Sequence, residues 1–310
     1  MPGLYIRHPS SFEHDTGGHP ENAGRLRAIE AAMEEADWLG LERVEAPAAT
    51  REQLLRVHPE SHIDAIREIS EGGGGMIDMD TVAGAGSYEA ALHSAGAAIH
   101  GVDRIMSGEA PFAFCGTRPP GHHCEAAQAM GFCLFNNVAV AARHALAEHA
   151  AERVLVLDWD VHHGNGTEAI FYDSDEVLYA SIHQSPLYPG TGARGDTGVG
   201  AGEGFTLNMP VPPGAGAAEF LGAIDDEVLP RAREYAPKLI AISAGYDAHR
   251  DDPLANCELV EADYAAMTTR VKVLGEELAA PILICLEGGY DPGALSRSVV
   301  ATLAALGSEA

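Results

Sequence analysis

Lysine is almost missing from this chain: only Lys238 and Lys272 occur, and all bases together number 19 against 46 acids, a formal net charge of −27. A chain so poor in positive charge has no electrostatic means of gripping a phosphate backbone, so nucleic-acid binding is not expected. Long hydrophobic runs are missing too. The longest, around Leu239–Ile242 and Ile282–Leu286, are strand-sized and far short of the roughly 20 apolar residues that cross a bilayer, so no membrane segment is expected. The N-terminal stretch carries an arginine and histidines where a secretory leader is apolar, and the expected location is the cytoplasm. Cysteine pairs are absent as well. The five cysteines, Cys115, Cys124, Cys133, Cys257 and Cys285, are odd in number and form no CxxC, which excludes a disulfide framework and a cysteine-based zinc site. Glycine-rich phosphate fingerprints are also lacking: no GxxxxGK[ST] occurs.

What is present is acid and apolar residue. The acids are spread along the chain (Glu34, Glu35, Asp37; Glu68, Glu71; Asp225, Asp226, Glu227; Glu276, Glu277), which favours a diffuse solvating coat suited to high salt over a funnel for a cationic substrate. Hydrophobic residues make up 46% of the sequence, ample for a core. Strand-length runs at Phe112–Cys115, Val154–Asp158, Val177–His183, Phe205–Val211, Leu239–Ser243 and Ile282–Leu286 alternate with helical patterns at Asn136–His149, Ala217–Tyr235 and Glu258–Ala279. Helical patterns also cover Ala23–Ala36, Arg51–Ser70 and Ser87–Met106. This rhythm predicts an α/β fold with a mostly parallel sheet and helices on both faces. No linker interrupts it, so residues 1–310 are read as a single domain. Two glycine-rich loops, 71–87 and 183–204, are long enough to be read as functional rims.

In such sheets the ligand site lies beyond the carboxyl ends of the strands. Three strands end in suggestive chemistry: "LVLDWDVHHGNG", "LIAISAGYDAHRDDP" and "ILICLEGGYD". Asp158, Asp160 and His162 alternate, but at about 3.3 Å per residue the outer two stand roughly 13 Å apart at Cα in an extended chain, so all three cannot hold one ion. Two neighbours can, supplemented by Asp247 from another strand end. An Asp, His, Asp set leaves open positions, as a catalytic metal requires. The alternative for an isolated acid is a helix cap. In "RPPGHHCEAAQAMGF" a rigid turn presents His122 and His123 together as acid–base candidates. Each needs a partner on its other ring nitrogen, and Asp158 and Asn165 are available. Tyr290, behind two glycines, is placed to donate to a developing oxyanion. "HPESH" (His58–His62) lacks the acid position of a zinc helix. His249 is a minority candidate for a second metal; His8, His14 and His19 are read as loop or rim residues, His183 as structural, and His163 is not expected to be a ligand.

Together, "HPENAGRLRAI", "RPPGHHCEAAQAMGFCLFNNVA", "VLDWDVHHGNGTEAIFY", "SIHQSPLYPGTG", "ISAGYDAHRDDPLA" and "LEGGYD" resemble the histone deacetylase family in its zinc-dependent class II and prokaryotic form, within the arginase/deacetylase fold group. The resemblance spans nearly the whole chain. It implies Asp160, His162 and Asp247 as ligands of one zinc, His123 as general base and acid, His122 as its electrostatic companion, Asp158 and Asn165 as their orienting partners, and Tyr290 as the transition-state tyrosine. Class I members carry Asp where Asn165 stands. It further implies a structural potassium near the backbone oxygens of Asp158, Asp160 and His162 and near Ser181. Gly131, Phe132 and Tyr188 are implied to line a narrow tunnel for an acylated lysine or small acetylated amine, with Leu254 at its mouth. The expected activity is removal of acetyl or related acyl groups. The alternatives are an acetylpolyamine amidohydrolase, a catalytically silent acyl-lysine binding protein and a dinuclear manganese ureohydrolase. The oligomeric state is left open.

Overall fold

A computed structural model describes residues 1–307. Ten strands occur in it: β1 (Leu4–Arg7), β2 (Glu42–Glu45), β3 (Gly74–Met76), β4 (Val82–Gly84), β5 (Phe112–Cys115), β6 (Val154–Asp158), β7 (Val177–Gln184), β8 (Thr206–Val211), β9 (Leu239–Ala244) and β10 (Ile282–Leu286). Eight of them form one sheet in the order β2-β1-β5-β10-β9-β6-β7-β8, with every neighbouring pair parallel. β3 and β4 pair as a separate antiparallel hairpin within the glycine-rich loop at 71–87.

The apolar runs are buried on both faces, as a parallel sheet under helices demands. Along β6, Leu155 and Leu157 enter one core with Leu26, Ile29, Phe220, Met267 and Leu295. Val154 and Val156 enter the other, with Ala97, Val102, Val138 and Ala142. Thus the helices Ser87–Met106 and Asn137–Glu148 cover one face, and Gly24–Glu35, Glu261–Leu278 and Pro292–Gly307 the other. All five cysteines are buried free thiols.

The structure differs from the sequence reading in its first quarter and in two later helices. β1 and β2 add to the sheet, and β2 is an exposed edge strand of sequence ERVE whose charges hide any apolar alternation. The expected helix Arg51–Ser70 breaks into Arg51–Leu54 and Glu60–Glu71, because Pro59 sits at the start of the second and cannot continue the first. The expected helix Ala217–Tyr235 widens into a π turn at Ile224–Val228, just before Pro230, which lacks the N–H a regular turn would use. The helix expected from Glu258 starts at Glu261, where Asp263 accepts the Val260 N–H at 2.9 Å.

Candidate active site

The carboxyl ends of five adjacent strands, β5, β10, β9, β6 and β7, supply the site. Asp158 is the last residue of β6, and its carboxylate accepts from His122 Nδ1 at 3.0 Å, the Tyr179 hydroxyl at 3.3 Å and the Asp160 backbone N–H at 3.1 Å. Past the strand the chain bends, and Asp160, His162 and Asp247 converge: one ligand atom from each lies within 4.8 Å of the others, and all three residues are buried. His162 Nδ1 stands 3.1 Å from Asp160 Oδ1 and 3.2 Å from Asp247 Oδ2.

Backbone N–H groups hold the two carboxylates in place. Gly288 donates to Asp160 Oδ2 at 2.8 Å, His162 to Asp160 Oδ1 at 2.9 Å, and Val161 to Asp247 Oδ1 at 2.9 Å. Residue 288 must be glycine for this approach, since a Cβ there would lie 2.0 Å from Asp247 Oδ2. Among the described residues no lysine or arginine pairs with either carboxylate; the ionic partners are His162 and His122 alone. Two buried acids beside one imidazole call for a cation. Burial opposes a charge on His162, yet the hydrogen bonds to Asp160 and Asp247 outweigh it and push its pKa up to about 10. A divalent cation fits the same demand, and an imidazole nitrogen with two carboxylate oxygens is a donor set zinc accepts.

The tandem histidines have opposite electrostatics. Burial works against the charged form of both. For His122, Asp160 and Asp158 overcome it and raise the pKa to about 10. For His123, burial is joined by the positive charges of His122 and His162, and the pKa falls well below the ordinary value. His122 therefore keeps its proton at neutral pH while His123 is a free base. His123 Nδ1 donates to Asn165 Oδ1 at 2.9 Å, which leaves Nε2 for the adjoining cavity.

That cavity, about 250 Å³, is lined by His123, His162 and Tyr290 together with Gly131, Phe132, Tyr188 and Leu254, so every expected wall residue reaches it. Asp80 and Leu187 also line it and were not foreseen. The Tyr188 ring meets His123 edge-on at 5.2 Å, and Phe132 meets Tyr290 likewise at 5.8 Å. A larger cavity, about 720 Å³, lies at the opposite, amino ends of the strands beside Phe112, Lys238 and Ile282. It contains none of the converging acids or histidines, so size does not mark the site.

Gly131 has φ +56°, and a Cβ there would sit 2.3 Å from the His123 ring. We expect Gly131→Ala to lower stability by about 1–3 kcal/mol through strain and overpacking and to cut turnover about tenfold by displacing the ring; thermal unfolding and steady-state kinetics check this.

Several supports escaped the sequence reading. Glu287 accepts from the N–H groups of Gly121 (2.6 Å) and His122 (3.1 Å), fixing the histidine turn from β10. Asp252 accepts from Tyr290 N–H at 2.6 Å and Leu254 N–H at 2.9 Å, tying two cavity walls together. Arg25 donates to the carbonyls of Gly289 (2.7 Å) and Glu287, with its guanidinium 5.1 Å from the Tyr290 ring centre. Glu21 joins Arg25 to Arg118 in a buried network, and burial notwithstanding, Arg118 holds its carboxyl well below the usual range. His14, expected at a loop or rim, is buried in this network, 3.5 Å from Glu21 and hydrogen-bonded to Ser87. Each of these is an acid or base with at least one partner far away in sequence; the carboxylate of "LEGGYD" at a strand end was the one legible signal.

The remaining histidine candidates make other contacts. His163 faces Thr191 (2.8 Å) and Glu168 (3.2 Å), away from the ligand trio. His183 is buried between Ser181 and the Gly192 carbonyl. His58 spends both ring nitrogens on backbone, bonding Ala126 O and Asn136 N, so its cluster with His62 and Cys124 is a hydrogen-bonded core. His249 faces Asp251 and Glu261 and is not part of the converging trio.

The chain is similar to known proteins. Residues 19–306 match the family model described as the histone deacetylase domain. The chain is 44% identical over 276 residues to the histone deacetylase-like amidohydrolase of Pseudomonas aeruginosa, covering 88% of this chain and 73% of that one. It is 42% identical to a probable deacetylase of Methanothermobacter thermautotrophicus, covering 99% of this chain and 91% of that one. The crystal structure of the HDA15 HD domain superposes with a TM-score of 0.93 at 38% identity, covering 99% of this chain and 91% of that one. The eight-stranded parallel sheet is thus the arginase/deacetylase fold, and the comparisons make the chain a deacetylase, a hydrolase. The chain belongs to the histone deacetylase family.

Proposed function

We propose a zinc-dependent amidohydrolase that removes acetyl or related acyl groups from lysine side chains or small amines. The observation that carries this reading is a single cavity onto which a ligand histidine, a neutral histidine and a tyrosine all open between apolar walls. Asp160, His162 and Asp247 are the proposed zinc ligands; the bound metal would supply Lewis acidity toward the acyl carbonyl and toward water.

The protein's own groups do the rest. His123 Nε2 takes the proton of the attacking water, because it is neutral while His122 already holds its proton. The His122–Asp158 pair steadies the second positive charge that then forms. Tyr290, whose hydroxyl is kept protonated chiefly by burial, donates to the carbonyl oxygen as negative charge develops there. His123 passes its proton to the leaving nitrogen, and a carboxylate and a free amine depart. Gly131, Phe132, Tyr188 and Leu254 hold the acylated chain.

One observation favours the second reading, an acetylpolyamine as substrate: Asp80 opens on the cavity, where it would attract a distal ammonium group. The apolar Leu254 favours the lysine side chain. A potassium ion near the backbone of Asp158, Asp160 and His162 is proposed from the family resemblance; Asp158 and Ser181 stand opposite each other on β6 and β7. No helix among the described residues is long and apolar enough to cross a membrane, and the five free thiols suit a reducing cytoplasm.

A kinetic panel of acetyl-lysine peptides, longer acyl-lysines and acetylpolyamines, run with and without high salt, tests the reading. Turnover of at least one acetylated amine is expected, abolished by chelation and restored by zinc. The pH profile has a predicted sign: the lowered pKa of His123 keeps it a base down through its ordinary value of 6.5, so kcat/KM should hold to about pH 6.5 and fall only on the acid side of it. Inertness of the zinc-loaded protein toward the whole panel would sink the proposal.

A further inference from the structure

We infer that Glu125 sets the tautomer of His123 by fixing which end of the Asn165 amide faces the ring. The inference rests on the reading of His123 as the base. Asn165 opens the helix Asn165–Phe171 and is 7% exposed. Its two amide ends have the same shape and opposite hydrogen-bonding character, so a half-turn about the last bond exchanges acceptor for donor without disturbing packing.

The surroundings decide between the two. Asn165 Nδ2 faces three acceptors: Glu125 Oε1 at 3.2 Å, the His123 carbonyl at 3.4 Å and Met130 Sδ at 3.4 Å. A thioether and a carbonyl at that distance are weak partners, whereas an ionised carboxylate accepts strongly and never donates. Glu125 is itself anchored, its N–H donating to Gln128 O at 3.0 Å across an isolated bridge.

With the amide nitrogen held by Glu125, Oδ1 points at His123 Nδ1, which must then carry hydrogen. The lone pair is left on Nε2, toward the cavity. Were the amide reversed, its N–H would demand a lone pair on Nδ1, Nε2 would carry the hydrogen, and the ring could not accept a proton from water. A carboxylate at position 165 would accept at either end and need no such control. Glu125 is therefore a positioning residue required by the neutral amide.

The test is a double-mutant cycle, Glu125→Ala against Asn165→Asp, on the full zinc-loaded chain with an acetyl-lysine peptide. Glu125→Ala is expected to lower kcat about tenfold with KM changed less than twofold when Asn165 is present, and to lower it less than twofold in the Asn165→Asp background. Glu125→Gln, which keeps an acceptor oxygen, should recover most of the loss. Independently of turnover, long-range proton–nitrogen spectra of histidine-labelled protein, with His123 assigned by its loss in His123→Ala, should show hydrogen on Nδ1 in the wild type and on Nε2 in Glu125→Ala. An equal loss of kcat in both backgrounds, or an unchanged tautomer, overturns the inference. Full activity of His123→Ala would overturn the base assignment instead, leaving the tautomer result to stand on the spectra.

Discussion

Asp247→Ala is expected to reduce deacetylation by more than about 10³-fold and to bring bound zinc from one ion per chain to near zero after dialysis. The expectation follows from what remains when Asp247 goes. Asp160 and His162 lie close in sequence on the bend after β6, and two ligands hold a divalent ion far more weakly than three. A catalytic metal there would supply several kcal/mol of charge stabilisation, so losing it would remove most of the rate. Because Asp247 also accepts the Val161 N–H, alanine orphans a buried donor and loosens the bend; Asp247→Asn retains an acceptor there and separates the two effects. It should fold, bind zinc poorly and turn over almost as slowly. His249→Gln is the contrasting control: since His249 faces Glu261 and Asp251 and not the trio, its variant should retain one zinc, whereas a dinuclear site would lose an ion. Ordinary zinc content and turnover in Asp247→Asn would refute the ligand assignment.

Much of this arrangement was legible in the chain because local chemistry and position agreed. The runs that became β5, β6, β7, β9 and β10 are apolar on both faces, and the polar residues that follow are held at the carboxyl ends of the strands. Asp158 shows where spacing alone fell short. Alternation excluded all three of Asp158, Asp160 and His162 from one ion but left open which two share it; the chain leaves extended geometry after Asp158, so its carboxylate meets His122 while the next two converge on Asp247. The edge strand β2 and the Arg25–Glu21–Arg118 network were illegible for a different reason. β2 is four mostly charged residues whose strand state depends on pairing with β1, and the network joins residues nearly a hundred positions apart through hydrogen bonds that no periodicity encodes. Glu125 and Thr81 belong with them: Thr81 accepts the Phe132 N–H at 3.1 Å and donates to Asp80 at 2.9 Å, coupling the hairpin loop to the cavity wall only after both have folded.

Tyr290→Phe is expected to lower kcat by about 10²–10³-fold, the range found when a single oxyanion donor is removed, while leaving KM within a few-fold and zinc content at one per chain. The substitution removes one oxygen and keeps the ring, so the edge-on contact with Phe132 and the place beneath the Arg25 guanidinium survive. The Tyr290 N–H still donates to Asp252, and the backbone carbonyl of Gly289 still accepts from Arg25, so the loop keeps its course. Only the hydroxyl's hydrogen bond is lost, and it matters most when the carbonyl oxygen carries negative charge, which is why the loss should fall on kcat more than on KM. Burial raises the Tyr290 pKa well above that of a free phenol, so the hydroxyl remains a donor throughout the working pH range and no basic limb near neutrality should be assignable to it. A loss seen in KM alone would make Tyr290 a wall of the tunnel. Equal turnover by Tyr290→Phe and wild type would leave the metal as sole oxyanion partner and remove the tyrosine from the mechanism.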